Sequence, residues 1–388
     1  NIRPEKDVMD TWNTSSLTPY ICKQLYRNND ASPFADTDFI PMSMRPQAHD
    51  IIRTWAFYTI VKSWMHQKEI PWNDIVISGY VLSENKEKIS KSKDNAPTDP
   101  EKLLTQYAPD AVRFWTACGT LGQDIAFSPE QIQIGQKLLT KLWNALKFVH
   151  MNIENQDVPK IPVSAIAKGD GWRSENIGII NQWMIDQMQV ALSSYHAYLQ
   201  KHEFSLALAS VEKVFWNDFC DNYIEIIKDQ FFSPANYSPE EIQATRYTLQ
   251  QTGFMFLQLY APYLPHITEY LYQHIFLQTF GVSSIHLTQL PEALSIHHDN
   301  QENMQLILHV IAQVRKLKTS QQLSLKTELT SLIISNATQD DIKVLKQQEN
   351  ILKGVCKATK IIFSAQKHEP GLMQEGDTWR ASVTAEQE

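Results

Sequence analysis

The sequence predicts an α/β region followed by a bundle of long α-helices and a small α+β region. Up to residue 127, short apolar runs alternate with helical periodicity, a pattern typical of βα units that build a parallel sheet. Between residues 128 and 290, apolar residues recur at steps of three and four over long segments, which indicates packed helices. From residue 291 to 388, short helix and strand patterns alternate.

The length and composition favour a protein with packed cores. The chain has 388 residues, of which 43% are hydrophobic, enough for two or three domains. It contains no run of about 18 apolar residues and no basic, apolar leader, so we expect a cytoplasmic protein with no membrane partner. The cysteines form no C-x-x-C pair, which predicts buried thiols and no zinc site; they are Cys22, Cys118, Cys220 and Cys356.

The charge and the first residues of the sequence bear on partners and completeness. A formal net charge of -8 argues against indiscriminate binding of polyanions, so a nucleic-acid partner would have to meet local basic patches. The sequence begins with NIRPEKDVMDTWNTSS, without an initiator methionine, and this stretch resembles the interior of a domain. We therefore expect the chain to be a fragment of a longer protein.

In the α/β region, the apolar runs DFIPMSM and DIVISGYVL predict strands, and DIIRTWAFYTIVKSWMHQ between them predicts a helix. Ligand sites in such sheets lie at the carboxyl ends of the strands. Asp99 and Pro100 then open a further helix, because aspartate caps free N–H groups and proline suits the first helical position. The intervening segment KEKISKSK, residues 86–93, is thus a loop between a strand and a helix.

In the helical region, Ser128 and Ser238 each precede proline and glutamate, which predicts capped helix starts. Residues 155–176 are poor in periodic apolar residues and predict a connection, and Pro262 and Pro265 predict a helix break. One apolar stripe predicts a core-facing helix: Phe204, Leu208, Val211, Phe215, Phe219, Tyr223 and Ile226.

The C-terminal region predicts a small α+β domain of two helices and two strands. QLILHVIAQVRKLK and DDIKVLKQQENILKGV have helical periodicity, whereas LTSLIIS and TKIIFSA have the composition of strands.

The loop at residues 86–93 could bind phosphates. Lys88 and Lys91, with Ser90 and Ser92, place two ammonium groups and two hydroxyls at the end of a strand, an arrangement that suits a triphosphate. The alternative is a lysine-rich connection that is simply solvated, and charge alone does not distinguish the two.

KISKS, residues 88–92, resembles the KMSKS signature of class I aminoacyl-tRNA synthetases, with Ile89 in place of methionine. The resemblance extends to GYVL before the motif and to SKDN, DPEKLLTQYAPDAVRFW and KLLTKLWNALKFV after it. Within the class, the chain is most similar to the valyl-tRNA synthetases, on DVMDTWNTSSLTPY, MRPQAHDIIRTWAFYTI, VFWNDFCDNYIEIIK and APYLPHITEYLY. The similarity runs from about residue 3 to residue 363.

The resemblance implies roles for individual residues. Lys88 and Lys91 would hold the ATP phosphates as catalytic groups, with Ser90 and Ser92 beside them. Asp50 would contact the adenylate ribose, and Ala48 stands where the family has a glycine that permits close approach of the nucleotide. The implied amino-acid pocket consists of Trp12, Ile51 and Trp55. The alternative for these three apolar residues is ordinary core packing.

The resemblance also implies a Rossmann-type catalytic half-domain over residues 1–127, an anticodon-binding bundle over 128–290 and a small terminal domain over 291–388. The whole enzyme would activate valine with ATP and Mg²⁺ and transfer it to the 3′ end of tRNA(Val), as a monomer. The chain shows no HIGH-like tetrapeptide and no stretch resembling an editing domain, so we expect the fragment alone to be inactive. A synthetase for isoleucine or leucine and a catalytically silent tRNA-binding module remain alternatives.

Overall fold

The computed structural model describes residues 7, 10–28, 39–89, 95, 100–158, 177–293, 298–364, 366–376 and 378–385. The chain divides into two compact units. The first comprises the described parts of Asn1–Tyr107, Trp115–Ile132 and His202–Ser205, and the second those of Ala108–Phe114, Gln133–Lys201 and Leu206–Glu388. Within the described residues, none of the helices combines the length and apolar character that crossing a bilayer requires.

A parallel βαβ unit forms the centre of the first unit. Strands β1 (Met42–Ala48) and β2 (Trp72–Ser78) pair in parallel, with Met42 opposite Trp72 and Ala48 opposite Ser78. The chain between them winds through a 3₁₀ turn (His49–Ile51), a π turn (Ile52–Ala56) and helix α3 (Phe57–Gln67). This arrangement confirms the predicted βα alternation, with the helix starting in two irregular turns.

The apolar run DIVISGYVL forms two strands where the sequence predicted one. After β2 ends at Ser78, the short strand β3 (Val81–Leu82) pairs in parallel with β4 (Ile125–Ala126) as a separate sheet. The break falls at Gly79, where a Cβ atom would lie 2.1 Å from the carbonyl oxygen of Gln123. Only glycine lets the two backbone segments approach this closely, so the chain leaves the first sheet at that residue.

Further helices precede and follow these strands. They are α1 (Thr11–Ser15), α2 (Thr18–Arg27), α4 (Pro100–Gln106) and α5 (Pro109–Ala117).

Most of the helical bundle lies in the second unit, and it is built around one central helix. Its members are α6 (Pro129–Ile153), α7 (Ile179–Leu199), α8 (Phe204–Lys213), a π segment (Val214–Tyr223), α9 (Ile224–Phe232), α10 (Pro239–Tyr260), α11 (Pro265–Ile275) and α12 (Leu277–Phe280). Every residue of α10 from Tyr247 to Tyr260 is buried, so neighbouring helices surround its second half. Its start is the predicted capping box, in which Ser238 and Glu241 satisfy each other's backbone N–H groups.

The predicted apolar stripe is largely confirmed, and its spacing matches the local winding. Leu208, Val211, Phe215, Phe219, Tyr223 and Ile226 are buried, whereas Phe204 is half-buried. From Val211 to Tyr223 the stripe advances in three steps of four residues, which on an α-helix would rotate it by about 120°. The π segment turns more slowly and keeps these side chains on one face.

The terminal region contains a four-stranded sheet in the order β6-β5-β8-β7. Its strands are β5 (Leu329–Ser335), β6 (Ile361–Ser364), β7 (Gly371–Glu375) and β8 (Thr378–Thr384). The sequence predicted β5 and β6 but not the β7–β8 hairpin. The helices are α13 (His298–Ser320), α14 (Gln339–Gln347) and α15 (Glu349–Cys356), so the single helix predicted for residues 340–355 is two helices that meet at Gln348.

The prediction of four buried thiols is right for two cysteines and wrong for two. Cys220 and Cys356 are buried, and burial raises the pKa of each thiol to about 12. Cys22 and Cys118 are exposed. Cys22 lies on α2, whose only buried residue is Pro19, and a lone cysteine in a sequence does not reveal which face of its helix is covered.

A cluster around Asp229 joins the bundle to the terminal domain within the second unit. The Asp229 carboxylate, 11% exposed, accepts hydrogen bonds from Tyr237 Oη at 3.0 Å and from Lys357 Nζ at 3.2 Å. Gly354 of α15 lies directly against it: a Cβ atom there would be 2.5 Å from the Asp229 carboxyl carbon. The absence of a side chain at residue 354 is what lets α9 and α15 meet.

We predict that Gly354→Ala destabilises the second unit although alanine is the better helix former. Helix propensity favours alanine by about 1 kcal/mol, whereas the clash with Asp229 costs about 1–3 kcal/mol. Urea unfolding should therefore show that the variant has a lower free energy of unfolding than the unaltered chain. In an Asp229→Ala background the same substitution should cost less, because the carboxyl group is gone, but it should not become neutral, because the added Cβ would still lie 2.6 Å from the Cβ of residue 229. Stabilisation by Gly354→Ala in the unaltered chain would show that the two helices do not meet as described.

Glu212 makes the bundle sensitive to pH. Burial raises the pKa of this carboxyl to about 7, an effect that its hydrogen bond with Trp216 partly opposes, whereas the usual value is 4.5. The folded state therefore holds the Glu212 proton more tightly than the unfolded state does. By linkage, stability falls as the pH rises from the unfolded pKa towards 7 and is then constant.

We predict that Glu212→Gln flattens this dependence. Between about pH 5 and pH 8, the unaltered chain should lose on the order of 1–2 kcal/mol more of its free energy of unfolding than the variant, allowing for solvent screening. Urea unfolding at the two pH values measures the difference. Glu292→Gln, at an exposed position, is the matched control and should leave the slope unchanged. An identical slope for Glu212→Gln and the unaltered chain would contradict the pKa of Glu212 given above.

Candidate nucleotide and amino-acid site

The carboxyl end of β1 carries the turn predicted to bind ribose. Ala48 closes the strand in extended conformation, with φ -75° and ψ 141°, and Asp50 follows in the 3₁₀ turn with an exposed carboxylate. The backbone at Ala48 therefore does not require glycine, and its methyl group is half-buried. The Asp50 carboxylate lies where ligands of parallel sheets bind.

The neighbouring strand β2 leads to Tyr80, which brings Lys88 of the loop to the same edge of the sheet. Ser78 at the end of β2 pairs with Ala48, and the His49 ring Nδ1 lies 3.3 Å from the Ser78 carbonyl oxygen. The His49 ring packs edge-on against Tyr80 with the ring centroids 4.3 Å apart, and the Lys88 Nζ lies 4.2 Å from the Tyr80 centroid. Tyr80 thus connects the Asp50 turn to Lys88.

Backbone contacts anchor the loop at Lys88. Lys88 forms an antiparallel bridge with Leu82, and the side-chain amide of Asn95 donates to the Lys88 carbonyl at 3.1 Å. Lys88 as a whole is exposed to solvent. Ser90, Lys91 and Ser92 lie outside the described residues.

The three predicted pocket residues are carried by elements that contact one another. Trp12 lies on α1, whose N-cap Asp10 accepts from the Trp12 backbone N–H at 3.0 Å. The Trp55 indole Nε1–H donates to the Ser15 carbonyl at the end of the same helix, at 2.9 Å. Lys62 of α3 donates to the Asn13 carbonyl at 2.6 Å.

Trp12, Ile51 and Trp55 are each half-buried, neither fully covered nor freely exposed. Ile51 ends the 3₁₀ turn and Trp55 lies in the π turn, so they do not share the regular helix that the sequence predicted. π turns are frequent at functional sites, because the wider winding redirects a side chain.

Two residues of this region escaped the sequence analysis. Tyr80 holds Lys88, and Arg45 of β1 stacks on the Trp55 ring. The signal for Tyr80 was present, since an aromatic residue ends the apolar run just before the lysine loop. Nothing in the sequence indicated Arg45, because its contacts are with residues on another strand and in the π turn. Among the described residues, no three histidine, cysteine, aspartate or glutamate side chains are grouped to hold a metal ion.

Two family models match the chain. Residues 1–128 match the tRNA synthetases class I (I, L, M and V), and residues 181–334 match the anticodon-binding domain of tRNA ligase. The first match covers β1, β2 and the lysine loop, and the second covers most of the bundle and reaches β5.

Curated relatives and a solved structure agree with these matches. The valine–tRNA ligase of Rickettsia akari (strain Hartford) is 36% identical over 372 residues, which is 94% of this chain and 44% of the relative. That of Ehrlichia canis (strain Jake) is 34% identical over 369 residues, 95% of this chain and 42% of the relative. A ternary complex of Agrobacterium radiobacter K84 agnB2 LeuRS with tRNA and LeuAMS has a TM-score of 0.52 at 15% identity, covering 97% of this chain and 42% of that chain, which shows a shared fold.

The chain spans less than half the length of these curated relatives. Over more than nine-tenths of its own length it is similar to valine–tRNA ligases, and the resemblance inferred from KISKS and its surroundings is confirmed.

Proposed function

We propose that the chain supplies the lysine-loop half of the catalytic domain and the anticodon-binding region of a valine–tRNA ligase. The observation on which the proposal rests is the meeting of the Asp50 turn and Lys88 at one edge of the β1–β2 sheet, in a chain 36% identical to a valine–tRNA ligase over 94% of its length. The reaction would take valine and ATP to valyl-adenylate and pyrophosphate, and then transfer valine to the 3′-terminal ribose of tRNA(Val).

In this mechanism the chain positions charges and no side chain becomes a nucleophile. The valine carboxylate attacks the α-phosphorus of ATP, the bond to the β-phosphate oxygen breaks, and pyrophosphate leaves as negative charge accumulates on its oxygens. Lys88 and Lys91 would stabilise that charge, with Ser90 and Ser92 donating to the phosphates. Asp50 would accept from the ribose hydroxyls beside Ala48. ATP would arrive as its Mg²⁺ complex, and the ion would neutralise phosphate charge.

The amino-acid pocket would be formed by Trp12, Ile51 and Trp55. Their partial burial leaves apolar surface available to a branched side chain, and the hydrogen bond from Trp55 to Ser15 keeps α1 against the π turn. A pocket of this kind binds valine by burial of its methyl groups.

Exposed apolar side chains on the first unit support an incomplete catalytic domain. Phe57, Ile60 and Trp64 follow helical spacing on α3 and are 56%, 44% and 57% exposed. Monomeric proteins rarely leave such a stripe uncovered. We propose that catalytic-domain sequence present in the longer relatives covers it in the whole ligase, so that residues 1–127 are the second half of a Rossmann-type domain.

The bundle, residues 128–290, would bind tRNA(Val), with residues 291–388 as the small domain beside it. Phe232 at the end of α9 is 77% exposed and Met151 near the end of α6 is 67% exposed, while their neighbours Phe231 and Phe148 pack with ring centroids 6.0 Å apart. An exposed aromatic residue at the end of a helix can stack with an unpaired base. We propose a cytoplasmic monomer whose partners are tRNA, valine and ATP.

Amino-acid-dependent exchange of pyrophosphate into ATP tests the proposal in the intact ligase that contains this chain. Valine should support exchange, and isoleucine and leucine should support it far less. The isolated chain should show no exchange but should retain binding of tRNA(Val) transcript. Exchange driven best by isoleucine or leucine would assign the chain to a sister synthetase, and the absence of exchange by the intact protein would leave a tRNA-binding module.

We predict that Lys91→Ala in the intact ligase lowers the rate of adenylate formation by about a hundred- to a thousand-fold, with little change in ground-state ATP affinity. The reason is that the charge it stabilises develops only as pyrophosphate leaves. Single-turnover kinetics measure the rate, and Lys91→Arg should recover part of it. Lys86→Ala and Lys93→Ala are matched controls on the same loop. If all these lysines proved equivalent, the segment would be a solvated basic loop.

We predict that Trp55→Ala in the intact ligase weakens valine binding while leaving ATP affinity nearly unchanged. Removing one apolar wall should cost about 1–3 kcal/mol of valine binding. Equilibrium binding of each substrate measures the two effects separately. An equal loss of ATP affinity would show that Trp55 is core and not part of a pocket.

A further inference from the structure

The guanidinium group of Arg45 is buried between two tryptophans. Its Cζ lies 3.4 Å from the Trp55 ring centroid and 4.9 Å from that of Trp72. Arg45 is 9% exposed and Trp72 is 5% exposed. At 3.4 Å from a ring centroid the guanidinium can only lie over the face of the indole, so it stacks on Trp55.

This burial is expensive. The Nε and Nη2 atoms of Arg45 are buried and have no hydrogen-bond partner in the described structure, and burial lowers the pKa of the group. A desolvated cation–π contact is favourable, whereas each unpaired buried donor is costly, and more so on a charged group. The stacking contacts and the two orphaned donors therefore act in opposite directions. An arginine with unpaired donors is not the residue that packing alone would favour at this position.

What the stack does is fix the Trp55 indole in two directions. Arg45 covers one face of the ring, and the Nε1–H at its edge is bonded to the Ser15 carbonyl at 2.9 Å. Arg45 lies on β1 and Trp72 opens β2, so the guanidinium is itself held by the paired strands. The orientation of the Trp55 ring is thereby fixed by contacts with the sheet, and not only by the π turn in which Trp55 lies.

We infer that Arg45 is a positioning residue that makes Trp55 a rigid wall of the amino-acid pocket and thereby limits the size of the side chain accepted. The inference rests on the proposed function. A wall held on one face and one edge cannot move aside for an additional methylene group, whereas an indole held only at its edge can turn. Arg45 acts through Trp55 and need not touch the substrate.

The first test is independent of catalysis and uses the chain labelled with 5-fluorotryptophan. The ¹⁹F resonance that Trp55→Phe removes is assigned to Trp55, and Arg45→Met should shift or broaden it. The matched control is Arg53→Met, which changes an exposed arginine in the same π turn as Trp55 and should leave the resonance in place. In the same samples, Arg45→Met should not lower the melting temperature. An unchanged Trp55 resonance, or a chain that no longer folds, would overturn the inference.

The second test measures pyrophosphate exchange by the intact ligase with valine and with isoleucine. Arg45→Met should lower the ratio of kcat/KM for valine over isoleucine by about tenfold, mainly through a lower KM for isoleucine, since one methylene is discriminated by about 10–200-fold in such pockets. Arg45→Lys keeps a cation but not the planar stack and should lie between the two. Arg53→Met should keep the original ratio.

The outcomes separate the two claims. If the unaltered ligase shows no valine-dependent exchange, the proposed function fails, and the fluorine spectra still decide whether Arg45 holds Trp55. If the unaltered ligase is active and both Arg45 variants discriminate within about twofold of it, Arg45 does not set the pocket. A uniform loss of kcat for both amino acids with an unchanged ratio would likewise overturn the positioning role.

Discussion

The candidate site depends on the parallel pairing of β1 with β2. Because Ala48 and Ser78 are partners at the carboxyl ends of the two strands, the turns that follow them start from the same edge of the sheet. The turn after β1 carries Asp50. The segment after β2 carries Tyr80, whose ring contacts Lys88. A shift of the register by one residue would reverse the faces of every side chain on one strand and separate these groups. The pairing also places Arg45 beside Trp72. The same register therefore positions the Asp50 turn near Lys88 and the arginine that stacks on Trp55.

The second unit relies on a different constraint, the burial of a polar central helix. The second half of α10 is buried although it contains Gln250, Gln251 and Thr252, so its polar groups need partners inside the bundle. Gln250 and Thr252 have such partners, whereas the side-chain oxygen of Gln251 has none in the described structure. Asn181 of α7 provides one such connection: it accepts from the Tyr223 hydroxyl at 2.6 Å and donates to the Thr245 hydroxyl at 3.1 Å. Satisfied networks of this kind select one arrangement of helices where an apolar interface would permit several.

The chemistry proposed for the first unit places modest demands on individual side chains. Adenylate formation needs cations close to the departing phosphates and a pocket that holds the amino acid near the α-phosphorus, and the attacking group is the substrate's carboxylate and not a protein side chain. In the proposed site, the accuracy of the reaction would depend on how rigidly the pocket is built. The energetic expense of burying Arg45 against Trp55 is understandable in that setting, since strain and unpaired groups persist where the surrounding structure uses them.

The sequence by itself determined the order of the regions and the family, because periodicity, capping residues and a short motif are local properties of the chain. The βα alternation, the Ser238 capping box and most of the apolar stripe from Phe204 to Ile226 were predictable for that reason. The roles of Trp12, Ile51, Trp55 and the lysine loop stay predictions. The split of one apolar run at Gly79, the β7–β8 hairpin and the exposure of Cys22 and Cys118 were decided only by tertiary structure. In each case the deciding neighbour is distant in sequence, as Gln123 is from Gly79, and the same holds for Arg45, whose partners meet it only when β1 and β2 pair.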